Sequence, residues 1–181
     1  ANRYFREGLA DDLLMLGHRD HSLEAVAPVI FVSGTVQNPK TGARASRINI
    51  YGVDNRFLTL FDSPPLFSGK RQVLLNEILA HEIGIKTKDA LLLRFQSDAS
   101  IPSEMVMGRK ESNIRTLRLE VSDILPNRGL GSLEFSANQR VPLNIFLPLD
   151  VLQRALDKEG NVNTIVTVGG TLADETTDLN I

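Results

Sequence analysis

The pentapeptide Asn38-Pro39-Lys40-Thr41-Gly42 constrains this chain more than any other stretch. Proline fixes one backbone angle, glycine opens the left-handed region, and asparagine bonds to its own backbone, so the cluster reverses the chain. Strand-forming residues flank it on both sides. Residues 33–37 and 43–53 are therefore expected to pair as a hairpin. In the second arm Ile48 and Ile50 share one face, while Arg47 and Asn49 point to the other. This alternation marks an antiparallel strand buried on one side.

The remaining pattern surrounds that hairpin with further short elements. Phe5, Leu9, Leu13 and Leu16 recur at helical spacing, which predicts an amphipathic helix over 3–16 ended by Gly17. Residues 25–32 read as extended, with Pro28 pointing to a strand start or an edge position. A short strand at 72–74 leads into a helix at 76–83. Asn76 caps that helix, Leu75, Ile78, Leu79 and Ile83 form its apolar face, and Gly84 follows its end.

Residues 86–89 form a turn before a strand at 90–95, and 97–103 is a polar loop. A long strand at 115–125 places Leu117, Leu119 and Val121 on one face, with Arg118 and Glu120 on the other. A turn at 126–131 precedes short extended pieces at 132–136 and 143–147. A helix at 150–158, a strand at 164–168 and an acidic tail from Thr171 complete the chain. Helices and strands mix without strict alternation, so the expected class is α+β rather than a doubly wound parallel sheet.

At 181 residues the chain suits one domain or two small subdomains, and 42% hydrophobic residues suffice for a core. The net charge is −2, with Lys and Arg scattered from Arg44 to Arg140. A nucleic-acid binder would carry a basic stripe, so none is expected as a partner. There is no cysteine, which removes disulfides and thiolate chemistry. No apolar run approaches the roughly 18 residues that a membrane helix needs. The first residues, Ala1 to Arg6, lack the charged-then-apolar order of an export leader.

The chemical motifs are fragments. His81-Glu82 would open a zinc-protease helix, but the second histidine should stand at position 85, which is Ile85. His18-Arg19-Asp20-His21 lacks a fourth ligand. Gly69-Lys70 is followed by Arg71 rather than a hydroxyl residue, and Gly129-Leu130-Gly131 lacks the third glycine of a dinucleotide loop. The adjacent pairs Asp11/Asp12 and Asp174/Glu175 read as solvated charge. No catalytic, cofactor-binding or metal site is expected.

The order of segments is more telling. Val26-Ala27-Pro28-Val29 is followed by Tyr51-Gly52-Val53-Asp54, then by Val73-Leu74-Leu75-Asn76-Glu77 running on to Glu82-Ile83-Gly84. Asp89 to Phe95 comes next, and Asn144-Ile145-Phe146-Leu147-Pro148-Leu149 last. Over residues 20–170 this series resembles the extracytoplasmic core domain of ABC transporter permeases of the MacB/FtsX type. One departure is Lys88 before Asp89, where the family usually carries glycine.

The resemblance implies a domain between two membrane helices of a permease. It implies a porter-like subdomain from residues 1–53 and 142–181, with a smaller subdomain, 54–141, inserted. The implied partners are the permease membrane helices, a cytoplasmic ATPase, a second permease copy, and an extracytoplasmic protein or lipoprotein. The segment 3–16 would continue an emerging membrane helix as a stalk. ATP hydrolysis would lie elsewhere, so the chain itself would be no enzyme. Two readings compete: a free-standing exported binding or adhesion module, and a hydrolase with dispersed carboxylates.

Overall fold

A computed structural model describes residues 3–19, 22–61, 67, 69–97, 114–135 and 141–169. The hairpin is its backbone. Strand β2 (Leu23–Gln37) pairs antiparallel with β3 (Arg44–Val53) around the turn at 38–42. Asn38 holds that turn from inside: its Oδ1 accepts from Lys40 N at 3.0 Å, and its Nδ2 donates to Ile83 O and Gly84 O.

The other long strands are β4 (Gln72–Asn76), β5 (Ala90–Gln96), β6 (Ile114–Leu125), β7 (Asn144–Pro148) and β9 (Thr164–Gly169). Their order is β3-β7-β4-β6-β5-β2-β9, and β2 also pairs with β3. Six strands thus close into a ring, with β3–β7 and β4–β6 parallel and the other pairs antiparallel. Closure gives each ring strand two neighbours over part of its length. Strand β9 branches off along residues 23–29 of β2. Strands from 54–141 share this ring, and one hydrophobic cluster, with strands from the flanking segments.

Pro28 sits inside β2 rather than at its start. It pairs with β9 only, before the β3 ladder begins at Ile30. That stretch of β2 is a local edge, where a missing N–H leaves no broken rung on the open side.

Alternate residues of each strand enter different clusters. Ile48, Ile50, Val73, Leu75, Ile145 and Leu147 pack in one, joined by Leu79 of α3 (Glu77–Glu82), by Ile83 just after it, and by Leu152 and Leu156 of α4 (Leu149–Leu156). Tyr51, Val53, Leu74 and Phe146 pack in the other, joined by Phe57 and Leu58 of the short helix α2 (Asn55–Leu58). Tyr51 stacks on Phe31 and Phe146, with ring centroids 5.1 and 4.9 Å apart, and meets Phe135 edge-on at 5.2 Å. Burial pushes the Tyr51 hydroxyl above its usual range, and the nearby Glu134 charge adds to this.

The N-terminal segment differs from the sequence expectation. Helix α1 is Leu9–Arg19, while Phe5 and Arg6 form strand β1 against β8 (Asn161–Val162). Glu7 N donates to Gly160 O at 2.8 Å. Long-range pairing thus overrides the helical periodicity before Gly8, and the stalk-like helix over 3–16 is replaced by a strand, a turn and a helix. Gly17 does not end α1. It lies inside the helix, where an added Cβ would stand 2.6 Å from Leu23 of β2. Ala10 and Gly17 are buried, whereas Leu16, expected on the apolar stripe, is 59% exposed.

The chain at 126–133 is also tighter than a plain turn. It winds into a single 3-10 helix, Gly129–Ser132. By contrast α3 follows its sequence signals: Asn76 Oδ1 accepts from Leu79 N, and Gly84 adopts positive φ after the end.

Lys88 occupies the left-handed region at φ 71°. The backbone is held there because Lys88 N donates to Val121 O and Val121 N to Asp89 O. A side-chain-bearing residue thus stands in a conformation that favours glycine. Lys88→Gly is expected to stabilise the protein by about 0.5–1 kcal/mol, strain relief exceeding the added unfolded-state entropy. A lower urea midpoint for the variant would count against this.

The next residue gives a pH prediction. Asp89 accepts from Lys40 Nζ across to the hairpin turn and from Lys86 N at 3.0 Å. The Lys40 bond first, then the Lys86 amide, hold its carboxyl below the usual value. A depressed folded pKa contributes stability above the unfolded value and loses it as pH falls through the folded one. The stability gap between parent and Asp89→Asn should be full at neutral pH and shrink in acid. Urea midpoints between about pH 7 and pH 2 check this; a gap that does not narrow in acid would contradict it.

Candidate functional site

One arginine fastens the N-terminal segment to the ring. Val53 ends β3, and Asp54 caps α2, its Oδ1 accepting from Phe57 N at 3.3 Å. Two residues on, Arg56 projects from that helix toward α1. Its Nε donates to Asp54 Oδ2 at 2.8 Å, its Nη1 to Asp11 Oδ1 at 2.8 Å, and its Nη2 to Glu7 Oε1 at 2.6 Å. Glu7 also accepts from Gln153 Nε2 of α4 at 2.9 Å, and that amide reaches Asn161 O. Helices α1, α2 and α4 and strand β8 thus meet at one ionic knot.

The guanidinium is 33% exposed. Partial burial works against its charge, but the Asp54 and Asp11 carboxylates more than offset this and raise its pKa further. It stays charged at every accessible pH. Beside the knot lies an open cavity of about 480 Å³, lined by Glu7, Asp54, Arg56, Phe67, Asp150 and Gln153. Such a site holds and orients. Glu7 and Asp54 on its wall are bound to Arg56, and Asp150 to Arg154.

A second, neutral knot lies on the ring. Asn76 donates to Gly131 O at 3.2 Å and Pro142 O at 2.7 Å, and its Oδ1 accepts from both Leu79 N and Asn144 N. Asn144 donates in turn to Gly131 O and Leu133 O, and accepts from Asn49. Asn76 and Asn144 are fully buried. Together they pin the 3-10 turn and the entry to β7 onto α3.

The residues singled out by motif fare differently. Asp11 enters the ionic knot, while its neighbour Asp12 pairs with Arg6, so the two acids serve separate partners. His81 and Glu82 are exposed on the last turn of α3, with Ile85 buried nearby. Gly69 and Lys70 lie in an exposed turn, and Gly129 to Gly131 build the 3-10 turn. His18 and Arg19 fall on the end of α1. Asp20, His21, Asp174, Glu175, most of the polar loop at 97–103 and the acidic tail lie outside the described residues. No cluster of metal-ligating side chains occurs among the described residues.

Arg56, Glu7 and Gln153 were not legible as a site. The available signal was Asp54 three residues ahead of Phe57, a helix start with a basic residue between. Two resemblance motifs now have physical content. In Tyr51-Gly52-Val53-Asp54, Gly52 leaves room for Leu152 of α4, which an added Cβ would meet at 2.9 Å. Asp54 caps α2 and binds Arg56.

No protein-family profile and no curated protein sequence matches this chain. Solved structures do. The extracellular domain of the noncanonic ABC-type transporter YknZ from Gram-positive bacteria matches with a TM-score of 0.56 at 13% identity, over 94% of this chain and 75% of that one. The periplasmic region of MacB from Actinobacillus actinomycetemcomitans matches with a TM-score of 0.52 at 12% identity, over 92% of this chain and 66% of that one. This chain has the fold of a MacB-type extracytoplasmic permease domain. At such identities the likeness is one of fold, and it bears out both the α+β class and the resemblance read from segment order. The chain spans two thirds to three quarters of those domains. No helix among the described residues is long and apolar enough to cross a membrane.

Proposed function

We propose that this chain is the extracytoplasmic domain of an ABC transporter permease and relays ATP-driven motion of membrane helices to a substrate or partner outside the cytoplasm. The observation that carries this reading is the fold likeness to YknZ and MacB domains over more than nine tenths of the chain. Fold alone does not fix function, so the ionic knot matters as support. A relay needs a stiff joint where motion enters. Arg56, braced by Asp54 on the ring side, joins the N-terminal segment to the ring through Glu7 and through Asp11 of α1, and Gln153 ties Glu7 to α4.

On this reading the chain performs no chemistry. Nucleotide binds a cytoplasmic ATPase, fused or separate, and the permease works with a second copy and an extracytoplasmic protein or lipoprotein. Calorimetric titration of the isolated chain with Mg-ATP should give no binding heat. The full-length membrane protein, solubilised in detergent, should carry or retain an ATPase. Tight nucleotide binding by the isolated chain would overturn the assignment.

A further inference from the structure

The parallel ladder between β3 and β7 runs from Asn49 opposite Asn144 to Val53 opposite Pro148. Its last rung on the N-terminal side is Asn49 N donating to Leu143 O at 2.8 Å. Beyond that rung the two segments part. Residues 44–48 keep β2 as their strand partner, and none of the described residues pairs with their other edge. The wedge between the segments is a cavity of about 540 Å³, bounded by Arg44, Arg47, Ile78, Glu82, Glu134 and Val141.

Two features of this wedge are not explained by packing. Gly34 of β2 faces Ile48 and Thr35 faces Ser46, so Arg47 is the extra residue of a bulge. Its φ is 57°, a conformation that costs a side-chain-bearing residue about 1–2 kcal/mol. Bulges re-aim side chains, and strain of this kind gathers at working sites. Moreover, Arg44 and Arg47 are both exposed, and neither enters an ion pair among the described residues. Among the described residues the wedge thus offers a backbone edge without a strand partner, two guanidinium groups three residues apart outside any ion pair, and an apolar wall in Ile78 and the 57% exposed Val141.

We infer that the wedge binds an extended peptide segment with acidic side chains, which adds to β3 as a strand along residues 44–48. Strand addition supplies main-chain hydrogen bonds, and alternate side chains then supply the selectivity. One set of the peptide's side chains meets Arg44 and Arg47. The other set lies on Ile78 and Val141. Glu82, on a remaining wall, repels negative charge and directs it to the β3 side. This inference does not depend on the transporter assignment.

The test is a titration of isotope-labelled protein with a capped peptide of alternating valine and glutamate, followed by NMR. Saturable shifts are expected at 44–49, 78–82 and 141–143. A valine–lysine peptide should bind at least about tenfold more weakly, the loss of one charge-assisted contact being enough for that factor. Arg44→Ala combined with Arg47→Gly should weaken the acidic peptide by at least about tenfold for the same reason, and Glu82→Gln should tighten it. Arg47→Gly alone should raise the melting temperature by about 2–4 °C, strain being relieved while the fold persists. Absence of saturable shifts, equal binding of the two peptides, or unchanged binding by the double variant would overturn the proposal. So would a lower melting temperature for Arg47→Gly.

Discussion

Asn76→Asp is expected to destabilise the protein by about 3 kcal/mol at neutral pH, as Pro142 O loses its side-chain donor, Gly131 O keeps only that of Asn144, and a charge is buried against both. The substitution is a sharp one because Asp and Asn are equally good helix N-caps. If Asn76 only capped α3, the change would be nearly silent. The structure gives its amide nitrogen a second task, donating to Gly131 O and Pro142 O, while its oxygen serves Leu79 N and Asn144 N. A carboxylate keeps the oxygen's bonds and loses both donor bonds. It also sets negative charge beside two carbonyls at a site with no solvent exposure. Part of the loss should be recovered in acid, where protonation restores one donor. Urea unfolding at neutral and low pH measures both effects. A loss below about 0.5 kcal/mol would reduce Asn76 to an ordinary cap.

Arg56→Ala should cost about 2 kcal/mol, which for a chain of this length lowers the melting temperature by about 4–8 °C. Exposed ion pairs are worth little singly. Here, however, one partly exposed cation neutralises Glu7, Asp11 and Asp54 together. Its removal leaves three carboxylates facing each other. The figure is kept low because solvent screens the outer side, where Asp11 is 61% exposed. Arg56→Lys should recover only part of the loss, since an ammonium lacks the planar fork that reaches three partners. The damage should also be local. Amide exchange should quicken in α1 before it changes in β3, β4 or β7. An equal rise in exchange across the ring would contradict the role of Arg56 as a joint.

These two knots also mark the limit of sequence reading. The hairpin was legible because its turn is local and its second arm alternates with period two. The cap of α3 was legible for the same reason: Asn76 and Gly84 act within one helix length. What escaped depends on contacts across the chain. Ring closure needs β2 to pair with β3 and β5 at the same residues, which no local window encodes. Strand β1 forms because residues 160–162 lie beside it, and that pairing defeated a plausible helical stripe. Gly17 looked like a stop signal, yet its small size serves a close approach to Leu23. Polar residues inside otherwise apolar strands, Asn49 and Asn144 among them, were the one readable hint of the neutral knot. Nothing in the order of Glu7, Asp11, Asp54 and Arg56 announces that they meet.

Segment order carried the family resemblance further than any single motif did. Three of the quoted pieces fall on joints between elements: the strand into α2 with its cap, the strand into α3 with its cap, and β7 running directly into α4. At 12–13% identity the fold likeness stands without close sequence similarity, as most core positions tolerate many residue types of about the right size.

The central claim is that motion generated by ATP reaches this domain. If the proposed assignment holds, it is tested most directly in the full-length protein, reconstituted with the ATPase that the proposal requires and carrying a spin label in place of Glu120 on the exposed face of β6. Distances between the labels of two permease copies would be measured without nucleotide and with the ATPase trapped by vanadate. The account predicts a clear shift in the distance distribution between the two states, and a smaller shift when Arg56→Ala loosens the joint. Identical distributions in both states would contradict it.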